Sequence, residues 1–340
     1  MTGAERVAAA LAGAPHDRTP VAPLLGLYGA ALTGAPLADH YGDAAVYAAG
    51  QSAVADLFDP DVVFAPFAFA LLGAAFGGEA TPLADRAPKL ERPALSGPAA
   101  LAAWRPPLLD VEPRLLFHRE AVRRMAEDHR GRRVVAAAIP GPFDLPALLF
   151  GVDGWLETLL FDPAAARDAL AATSAFFVAY ADALLGDGAD CVVATCGLIG
   201  PRVLPRRFAA HLAAELAPSS FGRVAGPILV HHADGPFLAH ADLVLAERAV
   251  VGAVLAPDDD PTRVRGVLGP KRLLASGPAG PRLGSRPPAE IADECAALVE
   301  RHGAGGRFLL CTTSAEAPLD APRAAVAALA VGAARGAAPA

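Results

Sequence analysis

Eight short aliphatic runs recur along the 340 residues of this chain, each cut off by glycine, proline or a polar group. They read TPVAPLL (19–25), DVVFAPF (61–67), RVVAAAI (133–139), DCVVATC (190–196), PILVHH (227–232), AVVGAVLA (249–256), KRLLASG (271–277) and RFLLCT (307–312). Runs of this length between turn residues are the signature of buried strands. Helical stretches lie between them, notably 163–188 and 287–303; Asp162-Pro163 and Pro287-Pro288 suit helix starts, and Gly186, Gly188 and Gly303 suit stops. Strand followed by helix, repeated over about 320 residues, predicts an α/β fold, a (β/α)8 TIM barrel with an N-terminal helical extension closed by Gly13. A doubly wound sheet is the rival. It would want a glycine-rich turn after its first strand, and PLLGLYGAALTG holds no G-x-G-x-x-G.

The chain reads as one domain over 1–340, with 77–107 as a long excursion and 335–340 as a disordered tail. Apolar residues at 54% against 19% charged secure a sizeable core. A net charge of −7 argues against a nucleic-acid partner, which needs a basic face. Charged residues, glycine or proline break every candidate run of about 18 apolar residues, so no membrane insertion is expected. The N-terminal stretch carries Glu5 and Arg6 where a signal peptide would be apolar, which points to a cytoplasmic protein. Four cysteines make no disulfide framework.

In such a barrel, function gathers where strands end at the C-terminal face. Cys196 closes one run here, His231, His232 and Asp234 close the next, Asp258 follows another and Cys311 ends the last. Bland readings stand beside these. His232 and Asp234 could form a plain hydrogen-bonded pair, Asp258 to Asp260 read as a helix-capping loop, and Cys191 and Cys295 read as packing. His118, His129 and His302 are expected at the surface. His231 and His232 must point to opposite faces of a regular strand.

The pattern resembles the uroporphyrinogen decarboxylase superfamily, and within it the branch of methylcobamide:coenzyme M methyltransferases. The resemblance rests on ERVAAALAGAPHDRTPVAPL at the start, IPGPFDLPALLFG (139–151), YADALLGDGADCVV, and Cys311 placed seven residues before Pro318-Leu319. It implies a zinc site built from His232, Asp234 and Cys311, with Cys196 in reserve; Asp234 stands where that branch carries a cysteine. Carboxylate oxygen is an acceptable zinc ligand, and three protein ligands leave a position open for substrate. The pocket would be lined by Tyr28, Phe143, His231 and Asp258. True decarboxylases carry an arginine-rich Met-Arg-Gln-Ala-Gly-Arg motif near the first strand, and PVAPLLGLYGAALTG has no arginine to hold porphyrin carboxylates.

The reading is therefore an enzyme that moves a methyl group from a methylated corrinoid, carried by a partner corrinoid protein, to a small thiol. The alternatives are a metal-free decarboxylase-like or other tetrapyrrole-acting enzyme, and a non-catalytic barrel that binds a corrinoid or tetrapyrrole.

Overall fold

The computed structural model describes residues 1–216, 220–233, 235–245 and 247–337. Its strands in chain order are β1 (Val21–Ala22), β2 (Val62–Phe64), β3 (Glu79–Thr81), β4 (Lys89–Arg92), β5 (Val134–Pro140), β6 (Cys191–Thr195), β7 (Ile228–His231), β8 (Val250–Val254), β9 (Leu273–Ser276) and β10 (Phe308–Cys311). All eight expected strands are present, and they form one parallel sheet in the order β1-β10-β9-β8-β7-β6-β5-β2. The sheet curls until its two ends meet. There the Asp61 N–H donates to Val21 O at 2.8 Å, and the Asp61 carboxylate accepts the Val21 N–H at 2.7 Å. The architecture is the (β/α)8 barrel that the alternation predicts.

Pleating splits the residues of each strand between two faces. Val193, Leu229, Val254, Leu273 and Leu309 pack inside the barrel, whereas Ala194, Val230, Leu274 and Leu310 pack outward against the helices. The long helix Pro163–Gly186 is apolar enough in length and composition to cross a bilayer, yet Leu170, Phe176, Phe177 and Leu184 on it are buried in the outer core. Its hydropathy serves the fold.

Helix Gly3–Ala12 lies across the N-terminal ends of the strands. Thr2 and Glu5 form a capping box at its start, and Gly13 ends it in the left-handed region at φ 68°. The excursion at 77–107 holds the antiparallel β3–β4 hairpin and a 3-10 turn, Pro98–Ala103. Leu95 N–H donates to Leu149 O at 2.8 Å, which ties it to helix Leu145–Phe161.

Two expectations need correction. Helix Arg323–Gly336 takes in the first residues of the expected tail, and 338–340 lie outside the described residues. His118 and His129 are buried, not exposed, because helix Pro113–His129 turns them toward the barrel and its neighbours; the His118 ring bonds Tyr180 OH at 2.5 Å. Burial holds His118 neutral, with its pKa down to about 4.

Candidate active site at the barrel mouth

An axial cavity of about 230 Å³ runs through the barrel. At its C-terminal end lie His231, Cys311 and Thr312, and Phe64 and Phe67 stand half-buried beside them. His231 follows Leu229 on the inner face of β7 and pairs in register with Thr195 of β6. Its Nδ1 accepts the Ala233 N–H at 3.0 Å, so the neutral ring carries its proton on Nε2. Cys311, only 2% exposed, ends β10 on the same inner face, and burial pushes its thiol far up, away from the thiolate. No lysine or arginine is among the described residues that line the cavity.

His232 faces the other way. Resemblance alone had turned it inward, but β7 alternates without a break to its last residue, so His231 takes the inner side and His232 the outer. The His232 ring is fully buried and meets Phe237 edge-on at 5.2 Å. Its Nδ1–H donates to Gly235 O at 3.2 Å, and its Nε2 has no partner among the described residues. Burial pulls its pKa down to about 4. Cys196, on the adjoining strand end, is also fully buried, and its N–H donates to His231 O at 2.9 Å. Burial and then the nearby Asp144 carboxylate push its thiol well up.

Two carboxylates shape the loops at this end. Asp144 accepts Thr195 Oγ1 at 2.8 Å, Gly197 N–H at 3.0 Å and Leu198 N–H at 2.9 Å, fixing the chain around Cys196. Asp259 accepts Phe237 N–H at 2.8 Å, Leu238 N–H at 3.1 Å and Ala256 N–H at 3.1 Å, fixing the segment after β7. Asp260 caps the next helix through Thr262 N–H at 2.9 Å, as its place before Pro261 suggested.

Three expected pocket residues lie off the cavity. Tyr28 is 3% exposed in the outer core, with its hydroxyl donating to Ala321 O at 2.7 Å. Phe143 packs on Phe221 at 6.1 Å. Asp258 is exposed and pairs with Arg202.

Sequence reasoning passed over Glu316. Its side chain is buried after β10, with Oε2 accepting Leu27 N–H at 3.2 Å and Oε1 lying against Gly26. A Cβ on Gly26 would collide with that oxygen. His40, Tyr41 and Tyr47 complete a buried polar cluster, and burial lifts the Glu316 carboxyl to about 8. The available signal was an acid between Cys311 and Pro318-Leu319, inside the stretch that carried the resemblance.

The expected zinc set does not fit this arrangement. His232 and Cys311 stand on opposite faces of the sheet, Cys196 goes with His232, and Asp234 lies outside the described residues. Among the described residues no group of three or more His, Cys, Asp or Glu side chains is gathered closely enough to hold a metal.

The family model described as uroporphyrinogen decarboxylase matches residues 2–335. A methyltransferase from Methanosarcina mazei has the same fold, with a TM-score of 0.84 over 98% of each chain at 20% identity. A B12-independent methionine synthase from Shewanella is more distant, with a TM-score of 0.47 over 64% of this chain and 65% of that one at 12% identity. No curated protein matches the chain.

Proposed function

We propose a function from one premise, that the chain belongs to the uroporphyrinogen decarboxylase family. It is an enzyme that transfers a methyl group from a methylated corrinoid to a small thiol. The observation that carries this reading is the axial cavity, mostly apolar, with no lysine or arginine among its described lining residues and ending on His231 and Cys311. At about 230 Å³ it is smaller than the ~300–1,000 Å³ of most ligand pockets, so it suits a small acceptor and excludes a macrocycle. The corrinoid, presented by a partner protein, would dock across the mouth from outside. The fold shared with a methyltransferase is consistent with this. All four thiols are unpaired, which suits a reducing cytoplasm.

The chemistry asks little of the chain beyond binding and orientation. The acceptor is taken up as the thiolate that forms in bulk water, where its proton stays, and His231 Nε2–H donates to that sulfur. That sulfur attacks the methyl carbon as the C–S bond forms and the Co–C bond breaks, leaving the electron pair on cobalt. Cys311 stays a protonated, neutral wall. Surrounding apolar side chains keep water from the sulfur. Polycarboxylate porphyrin chemistry is disfavoured, since among the described residues no arginine or lysine lines the cavity to meet the acid groups.

The test is methylcob(III)alamin with small thiols under anaerobic conditions, followed by the appearance of cob(I)alamin absorbance and a thioether. Turnover is expected, and it should fall at least tenfold in His231→Ala. No transfer to any thiol would sink the reading and leave a tetrapyrrole binder to be tested. Zinc stoichiometry on untagged protein, beside Cys311→Ala, answers the family expectation separately. About one zinc per chain, lost in the variant, would mean that Cys311 gathers ligands this arrangement does not bring together.

A further inference from the structure

The inside of an eight-stranded barrel is ordinarily filled by layers of large branched side chains. Several inward positions are small here: Ala22 on β1, Ala136 and Ala138 on β5 and Cys191 on β6. Those side chains leave the axial cavity of about 230 Å³ where a packed core would stand. Ala4, Val7 and Leu11, spaced along one face of helix Gly3–Ala12, form its floor. Asp190 is its one charged lining residue among the described ones, and that carboxylate already accepts the Val135 N–H at 2.8 Å. Polar side chains at the other end come from His231, Cys311 and Thr312.

We propose that the barrel interior is a binding site for an uncharged aliphatic chain, so that the acceptor is an alkyl thiol lodged tail-down with its sulfur at the His231 and Cys311 end. The assignment of the sulfur rests on the methyl-transfer reading; the aliphatic site stands without it. Apolar cavities of this order stay dry and take up apolar molecules, and here the polar lining groups stand at the two ends, with aliphatic side chains between them. A sulfonate or carboxylate tail pushed toward the floor would lose its hydration and find no cation.

Calorimetric titration with straight-chain thiols from ethanethiol to octanethiol, and with the matching alkanols, tests the site without requiring turnover. Affinity should rise about three- to fourfold with each methylene until the cavity is full, then level off. A sulfonated ethanethiol should bind at least tenfold more weakly than butanethiol. Ala136→Leu and Ala22→Val fill the space from different strands, and each should cut binding tenfold or more with the thermal midpoint held or raised. Affinity independent of chain length, equal binding of the sulfonated thiol, or unchanged binding in folded filled variants would overturn the proposal. The wild-type series decides the matter even if both variants fail to fold. Alkanols that bind while no thiol is methylated would keep the aliphatic site and remove the methyl-transfer reading. Methylation of the sulfonated thiol with no alkanol binding would do the reverse.

Discussion

Glu316 shows how a single side chain can set a pH response. Its carboxyl is lifted from the usual 4.5 to about 8 by burial among His40, Tyr41 and Tyr47. An unfolded chain gives up that proton near pH 4.5, whereas the folded one keeps it until about pH 8. Between those values the native state binds more protons, so stability falls as pH rises, by at most roughly 1.4 kcal/mol per unit. Below the window both states are protonated, and above it both are ionised. Glu316→Gln keeps an acceptor for Leu27 N–H and should remove this slope, read from urea midpoints across the window. Identical slopes in the two proteins would show that the carboxyl titrates normally. The residue scale is also where sequence reading was weakest. Alternation told that His231 and His232 face opposite ways, but not which faces in, because parity is set by the register against the adjoining strands β6 and β8, which the run itself does not carry. Burial of His118 was hidden for a related reason: helix Pro113–His129 is polar overall, and only its docking shows which turn is covered.

At the scale of elements, the strands were legible because aliphatic runs between glycine and proline have few other uses. The helix ends were legible because Asp162-Pro163 and Asp260-Pro261 carry their caps in sequence. Helix Gly3–Ala12 was foreseen as an amphipathic extension, but its role was not, since a stripe of Ala4, Val7 and Leu11 says only that something apolar lies beneath. It lies over the cavity floor. Removing residues 1–13 should uncover Val62, Val134, Leu273 and Leu309 at the lower end of the barrel, and a hydrophobic dye should then bind the folded protein strongly. Unchanged dye fluorescence, with native circular dichroism, would mean that the floor is closed by other groups.

For the whole molecule, the ring of strands is completed by very little ladder. β1 spans two residues and β2 three, and Asp61 supplies what the short strands cannot. Its side chain, 1% exposed, accepts Val21 N–H and pairs with Arg6 and Arg18, each at 2.5 Å. Asp61→Ala would strand the Arg18 guanidinium and a backbone donor together while Arg6 keeps Asp17, and should cost about 3 kcal/mol in denaturant titrations. A cost below about 1 kcal/mol would show that the cations find solvent without penalty. The barrel is thus a hoop with a clasp. A hoop yields at its joint before its staves part, so amide hydrogens near Val21 and Asp61 should exchange ahead of those on β6 and β7, and the small space within would first meet water through that gap.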